Sequence, residues 1–294
     1  MNLVVTGSLG HISKPLANAL TQNGHTVTVI SSNPDKQAAI AALGATAAIG
    51  SLDDVDFLTA TFTGADAVYA MVPPNFKVPD LRAYYGHIGR TYVQAIEQAG
   101  VKRVVSLSSY GADLAEGTGG ILGAHDMEGL LNKLPNVAVT HLRPAYFYYN
   151  LFNQVSLIKG MGIMGANYGG DNKLIMVDPV DIAAVAADEL TTATTDQSVR
   201  YIASDDRTCT EIAHVFGKAI GKPELAWVTF TDEQARSGME ANGVPASIAA
   251  DLVDLGASIH AGLMRRDYDL HQSVPTGSVK LEDFAREFAA VYNG

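Results

Sequence analysis

The N-terminal sequence Asn2-Leu-Val-Val-Thr6, continued by Gly7-Ser-Leu-Gly10-His-Ile-Ser13, decides the fold of this chain. An apolar run leads into a turn with two glycines, a helical pattern follows, and a second apolar run begins at Val27. This order is that of a dinucleotide-binding βαβ unit. One glycine permits the tight turn, and the other lets backbone N–H groups approach a pyrophosphate at the positive end of the helix. Gly7 and Gly10 occupy these places, and Ser13 is small enough for close packing of helix on strand.

The same alternation of strand and helix continues through the first half of the chain, with strands expected at 45–49, 67–71, 103–107 and 136–142. The pattern predicts an α/β fold with a Rossmann-type, doubly wound parallel sheet. Because 294 residues exceed what one such unit needs, we expect a smaller, interleaved α/β lobe as well. We assign residues 1–155 to an NAD(P)-binding domain that 172–190 rejoins, and residues 156–294 to a substrate-binding lobe.

Composition excludes several kinds of partner. The formal net charge is −11 and no cluster of lysines or arginines is present, which argues against nucleic acid or an anionic membrane as a direct partner. Cys209 is the one cysteine, so an intrachain disulfide is excluded. The histidines lack metal-ligand spacing, so no metal is predicted. With no signal peptide before Thr6 and no membrane-length apolar run, we expect a cytoplasmic protein with a small-molecule substrate, and a homodimer is left open.

The cofactor is expected along the edge formed by the strand ends. No carboxylate stands at the end of the second strand, where NAD would need one for its ribose, which favours NADP over NAD. The same segment also has the pattern of a helix cap. For the pyrophosphate we expect Thr6, Gly7, Ser8, Leu9, Gly10, His11 and Ile12. For the 2′-phosphate we expect Ser31, Ser32, Asn33 and Lys36. For the remaining cofactor contacts we expect Ser51, Leu52, Met71, Val72, Pro73, Ser108 and Pro144.

A series of motifs follows in order along the chain, namely TGSLGHIS, GSLDD, VKRVVSLSS, His141-Leu-Arg-Pro144 with Asn150, Val177-Asp-Pro-Val-Asp-Ile-Ala183, Glu211–Lys222 and Leu281-Glu-Asp-Phe284. In their order and spacing the chain resembles the NmrA-like family of atypical short-chain dehydrogenases/reductases. Within that family it is similar to bacterial NADPH-dependent quinone oxidoreductases, whose pattern has an arginine where Ser32 stands here. The resemblance implies a Rossmann domain with NADP(H) and covers nearly the whole chain.

The proton-relay pair of the larger superfamily, a tyrosine followed four residues later by lysine, is missing. Tyr110 is followed at that distance by Leu114. The remaining catalytic candidates are Tyr110 at a strand end and His125, which shares a helix face with Glu128. Each has a structural alternative, namely turn formation for Tyr110 and an exposed helix start for His125.

Four aromatic residues in a row at 146–149 follow the sixth expected strand. A flat, aromatic-lined site suits a quinone or another planar acceptor, so we predict substrate contacts for Tyr146, Phe147 and Asn150. The alternative is that these rings cover the joint between the two lobes. The glycine-rich stretch 160–170 is expected to form a loop or small hairpin over the cleft.

Two functions remain open from the sequence. The first is an NAD(P)H-dependent oxidoreductase that passes hydride to a quinone or a small planar carbonyl compound. A quinone is already a good electrophile, so it does not require the missing tyrosine-lysine pair. The second is a non-catalytic regulator that senses a dinucleotide and acts through a protein partner. The sequence shows no docking surface of the kind that the second function requires, so the enzyme is favoured.

Overall fold

The computed structural model describes residues 1–75, 77–271 and 273–294. The strands are β1 Asn2–Val5, β2 Thr26–Ser31, β3 Thr46–Ile49, β4 Ala67–Ala70, β5 Arg103–Leu107, β6 Ala138–Pro144, β7 Tyr146–Phe147, β8 Met164–Ala166, β9 Lys173–Val177, β10 Ser198–Ile202, β11 Asp205–Thr208 and β12 Trp227–Thr229. The helices are α1 Ser13–Gln22, α2 Gln37–Ala41, α3 Val55–Phe62, α4 Leu81–Ala99, α5 Leu122–Leu131, α6 Gln154–Met161, α7 Pro179–Thr191, α8 Cys209–Ala219, α9 Asp232–Ala241, α10 Ala246–His260, α11 Arg266–Leu270 and α12 Leu281–Asn293.

In the described part of the chain, the largest sheet has seven strands in the order β10-β6-β5-β4-β1-β2-β3. The pairs from β3 through β6 are parallel, with Val4 opposite Thr28 on one side of β1 and Val68 on the other. The order 3-2-1-4-5-6 is that of the Rossmann fold, and it reverses direction between β1 and β4. Ligands of such sheets bind outside the carboxyl ends of the strands at this point. The predicted fold class is confirmed.

Buried apolar residues fix the helices on this sheet. Leu58 and Phe62 of α3 and Tyr92 and Ile96 of α4 pack in one core cluster with the central strands. The carboxylate of Asp80 accepts a hydrogen bond from the Ala83 amide at 2.8 Å and so begins α4. Burial of this layer holds the strand ends, and the loops that leave them, in fixed positions.

The chain divides into two compact units by its internal contacts. The first unit contains 1–109, 123–143 and 182–200, and the second contains 110–122, 144–181 and 201–294. The units are interleaved along the sequence, with several crossings between them. The segment that returns to the first unit begins at Ile182 and ends at Arg200, whereas the sequence suggests 172–190 for this return.

The second unit contains a small sheet in the order β11-β9-β7 and a parallel pair of β8 and β12. Its apolar core includes the stacked rings of Phe216 and Phe288, whose centroids are 4.2 Å apart. The ring of Tyr148 stacks on Phe284 at 5.3 Å. These aromatic contacts join the 3₁₀ turn after β7 to α8 and α12.

The glycine-rich stretch after α6 is not a hairpin, because β8 pairs in parallel with β12. A Cβ on Gly165 would lie 2.6 Å from the Phe230 ring, and one on Gly169 would lie 2.6 Å from the Trp227 ring. Met164 is fully buried. Within the second unit, therefore, these glycines give aromatic side chains room to pack.

Candidate cofactor and active site

The turn after β1 leaves no room for a side chain at its first glycine. Gly7 has a φ of +89°, and a Cβ there would lie 2.5 Å from Oγ of Ser13 and 2.9 Å from Sδ of Met71. The Ser13 hydroxyl donates to the carbonyl oxygen of Thr6 at 2.8 Å, which ties the first turn of α1 to the end of β1. Ser13 thus performs the close-packing role that its position predicts.

The second glycine is restricted by the backbone itself. A Cβ on Gly10 would lie 3.1 Å from the carbonyl oxygen of Gly7. The helix that follows begins after Ile12, which provides no side-chain cap, and its first turn has no acidic residue. The Lys14 amide donates to the Gly10 carbonyl at 3.0 Å, so the turn runs directly into the helix, whose N-terminus carries partial positive charge. The narrow turn, the positive end of the helix and the missing carboxylates together fit the diphosphate that the sequence predicts beside residues 7–12.

A hydroxyl contact links this turn to the end of β2. Ser8 has a φ of +55°, and its hydroxyl donates to Oγ of Ser31 at 2.9 Å. The Asn33 amide also donates to Oγ of Ser31, at 3.2 Å. Because Ser31 is buried and bonded within the protein, it shapes the loop. The exposed side chains of the same segment, Ser32, Asn33 and Lys36, are the ones available to a 2′-phosphate.

The same segment also begins a helical turn, which the sequence gives as an alternative. Oδ1 of Asn33 accepts a hydrogen bond from the Asp35 amide at 2.9 Å and so caps the 3₁₀ turn 34–36. The amide N–H₂ of Asn33 is left to donate elsewhere. The helix cap and the predicted contact with a 2′-phosphate are therefore compatible in this segment.

The loops after β3 and β4 are fixed by hydrogen bonds. The Met71 amide donates to Oγ1 of Thr6 at 2.9 Å, and the Tyr92 hydroxyl donates to the Met71 carbonyl at 2.8 Å. Ser51 donates to the Asp53 carboxylate at 3.1 Å, so its hydroxyl is used within its own loop. Leu52 and Pro73 are half-buried and Val72 is buried. The predicted cofactor residues other than Pro144 thus lie in the first unit, at the ends of β1 to β5.

A buried ion pair stands behind the end of β5. Arg143 of β6 donates from Nε to Oε1 of Glu128 at 2.9 Å and from Nη2 to Oε2 at 2.7 Å. Oε1 also accepts from the hydroxyl of Ser108, at 2.5 Å. Both charged side chains are 9% exposed. Arg143 therefore pairs within the protein, and its partner Glu128 is the residue that shares a helix face with His125 in the sequence.

Burial alone would raise the pKa of Glu128. The hydrogen bond from Arg143, the charges of His141 and Arg143, and the hydrogen bond from Ser108 outweigh burial, and the net pKa lies below the ordinary value. Burial and the charge of Arg143 lower the pKa of His141, against the opposing effect of Glu128. The carboxylate of Glu128 is therefore ionised and the imidazole of His141 is neutral near neutral pH.

The catalytic candidates lie in different units. His125 is half-buried in α5 of the first unit. Tyr110 is a buried residue of the second unit, and its ring meets Tyr268 edge to face with centroids 6.3 Å apart. Burial raises the pKa of Tyr110 well above its ordinary value, opposed by the charge of Arg265. The Tyr110 phenol stays protonated at neutral pH and is a weak acid.

The three predicted substrate residues all lie in the second unit. Burial raises the pKa of the Tyr146 hydroxyl, and a hydrogen bond with Tyr168 opposes this. The ring of Phe147 lies 5.2 Å from that of Tyr149. Asn150 is half-buried in the 3₁₀ turn 148–153. Pro144, at the end of β6, accepts a hydrogen bond from the Tyr110 amide at 3.0 Å, so it positions that residue.

The sequence did not reveal that Ser108 and Arg143 both donate hydrogen bonds to the Glu128 carboxylate. A signal was present, because Glu128 has the helical spacing of the buried residues Ala124 and Leu131. A carboxylate on the buried face of a helix requires a buried partner. Arg143, on the next strand, is the cation that the sequence offers.

The described residues offer neither a cluster of metal ligands nor a helix that could span a membrane. Over residues 1–75, 77–271 and 273–294, no group of three histidine, cysteine or acidic side chains is arranged to hold a metal ion. Among the same residues, each helix is too short or too polar to cross a lipid bilayer.

Comparison with known proteins shows similarity to several reductases. The chain is 25% identical over 229 residues to the (4-alkanoyl-5-oxo-2,5-dihydrofuran-3-yl)methyl phosphate reductase of Streptomyces griseus, which covers 76% of this chain and 77% of that protein. The fold of the present chain is similar to that of an NADPH-dependent quinone oxidoreductase from Escherichia coli solved with NADPH. The TM-score is 0.84 and the identity is 21%, and the match covers 97% of this chain and 99% of that one. It is also similar to a triphenylmethane reductase from Citrobacter, with a TM-score of 0.81, 18% identity, and coverage of 99% and 100%.

A family model spans nearly the whole sequence. The model of the NmrA-like family matches residues 1–281, which include the glycine turn, the strand ends and most of the second unit. The motif order that suggested this resemblance is therefore specific. The chain belongs to the NmrA-like family.

Proposed function

We propose that this protein is an NAD(P)H-dependent oxidoreductase that reduces a quinone or another small planar carbonyl acceptor. The observation that carries the proposal is the turn after β1, where Gly7 has no room for a side chain, a Cβ on Gly10 would crowd the Gly7 carbonyl, and α1 begins without a side-chain cap. Family membership and the reductase names of the similar proteins support the same activity. The compounds in two of these names, a quinone and an alkanoyl-oxo-dihydrofuran, both contain conjugated carbonyl groups, and this is the chemical class of acceptor proposed here.

The backbone of residues 7–12 would hold the pyrophosphate, and Ser32, Asn33 and Lys36 would hold a 2′-phosphate. We propose NADPH over NADH because β2 ends in Ser31 without a carboxylate to repel that phosphate. The loops that begin at Ser51 and Met71, with Ser108, would line the remaining length of the cofactor. When bound, the reduced cofactor supplies a hydride to an electrophilic carbon.

Conversion of a quinone to a hydroquinone needs one hydride and one proton. The candidate acids that the residues offer are weak, because Tyr110 has a raised pKa and Glu128 is ionised. This restriction favours acceptors that are electrophilic without strong acid catalysis, as quinones are. We propose that His125 or solvent supplies the proton and that Tyr146, Phe147 and Asn150 contact the acceptor.

The test uses purified protein with NADPH and NADH in turn. We expect each bound cofactor to change its fluorescence, with tighter binding of NADPH, and we expect NADPH oxidation when a simple benzoquinone or naphthoquinone is added. The same mixture with Gly10→Asp protein measures the uncatalysed reaction. Tight binding with no turnover across a broad panel of acceptors would refute the enzyme and leave the dinucleotide-sensing regulator.

A further inference from the structure

Two buried arginine–glutamate pairs brace the neighbouring strands β5 and β6 within the first unit. The pair of Arg143 and Glu128 lies by the carboxyl end of β5 and is bonded to Ser108. The pair of Arg103 and Glu189 begins at the first residue of β5, with Nη2 and Oε2 3.0 Å apart. Since side chains alternate along a strand, Arg143 and the Glu189 partner Thr140 face opposite sides of β6. Only the first pair has a hydroxyl at the edge where we propose the cofactor.

Glu128 determines which way the Ser108 hydroxyl points. An ionised carboxylate accepts hydrogen bonds and donates none, so the Ser108 hydrogen must point at Oε1. The two N–H groups of Arg143 hold that carboxylate in a bidentate contact, the geometry with the strongest orientation. The remaining lone pairs of Ser108 Oγ therefore face away from Glu128. Ser108 is half-buried and directly follows β5, at the edge where we propose the cofactor.

We propose that Glu128, clamped by Arg143, is a positioning residue that presents the Ser108 oxygen as a hydrogen-bond acceptor to the nicotinamide carboxamide of the bound cofactor. This inference rests on the proposed function. Within the nicotinamide the carboxamide N–H₂ is the hydrogen-bond donor, whereas the other donors of the dinucleotide are the ribose hydroxyls and the adenine amino group. In this arrangement Ser108 orients the cofactor, and the proton for the acceptor comes from elsewhere.

The test compares two nucleotides that differ only at this end. We expect Ser108→Ala to weaken binding of NADPH about fivefold to tenfold, as loss of one hydrogen bond does. Binding of 2′-phospho-ADP-ribose, which lacks the nicotinamide, should stay unchanged. Glu128→Gln should produce the same selective loss, because either orientation of the amide places an N–H against a guanidinium N–H and loosens the clamp. Calorimetry provides the dissociation constants.

The double variant Ser108→Ala, Glu128→Gln distinguishes positioning from general support. If Glu128 acts through Ser108, the double variant should bind NADPH no more weakly than Ser108→Ala alone. Glu189→Gln is the matched control, since it makes the same change in the other buried pair of these strands. Both Glu189→Gln and Glu128→Gln should lower the unfolding temperature, but Glu189→Gln should leave both nucleotide affinities unchanged.

Each outcome decides a different point. Equal weakening of NADPH and 2′-phospho-ADP-ribose, additive effects in the double variant, or a selective loss in Glu189→Gln would overturn the inference while leaving the proposed function in place. Failure of the unmodified protein to bind NADPH would overturn the proposed function, and the inference with it.

Discussion

Gly10 is a position where one added carbon meets the protein's own backbone. The Cβ would lie 3.1 Å from the carbonyl oxygen of Gly7, and the backbone fixes the positions of both atoms. At Gly7 the added carbon would meet side chains, and the positive φ also disfavours any other residue. Glycine is therefore favoured at the two positions for different reasons, for clearance from the backbone at Gly10 and for conformation at Gly7.

Substitution Gly10→Asp should abolish binding of NADPH, because it places a carboxylate where we propose a diphosphate. The fold should survive, with a loss of stability that is small beside the loss of affinity, since Gly10 is exposed in its loop. Fluorescence titration with NADPH and circular dichroism measure the two effects.

Gly238→Asp is the control, because Gly238 is an exposed helical glycine whose added Cβ would have no neighbour within 4 Å. It should bind NADPH normally. Retained affinity in Gly10→Asp would contradict the proposed place of the pyrophosphate.

Single residues of the turn could be predicted from the sequence, because strand, glycine spacing and helix follow each other directly. The orientation of Ser108 could not, because it depends on Glu128 and Arg143, which are distant in sequence. Ser31 shows the same limit. Its type and position suggest a phosphate ligand, but its burial and its contacts with Ser8 and Asn33 commit it to the loop.

At the scale of elements, α7 begins with a carboxylate that anchors another segment. Asp181 accepts hydrogen bonds from the Ser278 amide and hydroxyl, both at 2.8 Å, and from the Ser204 hydroxyl at 2.7 Å. The segment that it holds leads directly into α12. Asp178 is the residue that caps α7, because its carboxylate accepts a hydrogen bond from the Val180 amide at 2.8 Å.

Substitution Asp181→Asn should lower the free energy of unfolding by about 1–3 kcal/mol, because it leaves buried hydrogen-bond donors without an acceptor. Urea denaturation measures the change. Asp188→Asn, an exposed position on the same helix, should change it by less than about 0.5 kcal/mol. A loss equal to that of the control would show that the Asp181 contacts contribute nothing to stability.

Strands that are short or polar could not be predicted from the sequence. β11 has the sequence Asp-Asp-Arg-Thr, which shows neither an apolar run nor alternation, and it is a strand because β9 pairs with it in antiparallel register. β7 is two residues long and β8 is rich in small residues. In contrast, the buried parallel strands β1 and β4 consist almost entirely of apolar residues, so composition identifies them.

At the scale of the whole molecule, acid should destabilise the fold in two separate pH ranges. His141 has a lowered pKa in the folded state, so between that value and about 6.5 the unfolded chain binds a proton that the folded chain does not. Stability therefore rises with pH through this range and is complete above it. Glu128 also has a lowered pKa, and its contribution is present above about 4.5 and lost as pH falls through the folded value.

We expect wild-type protein to unfold at a lower urea concentration at about pH 5.5 than at about pH 7.5. His141→Gln should reduce this difference, because it removes a buried group that gains a proton on unfolding. His214→Gln, at an exposed position on α8, should preserve it. An unchanged pH dependence in His141→Gln would exclude His141 as its source.

The interleaving of the two units was only partly visible in the sequence. The return of the chain to the first unit could be expected from the helix after β9, but its limits could not, because they depend on which contacts prevail. β10 has the composition of an ordinary strand, and nothing local assigns it to the large sheet beside β6. Membership in a sheet is decided by long-range pairing, which a single sequence does not display.

The place of β10 has a consequence for synthesis on the ribosome. Translation proceeds from the N-terminus, so β6 emerges and can join β5 well before residues 198–202 exist. During that interval β6 is an unpaired edge strand of the nascent sheet, although it is buried along its full length in the finished protein. Until β10 is synthesised, the backbone N–H and C=O groups along this edge are open to pairing with another extended chain, which is a route to aggregation.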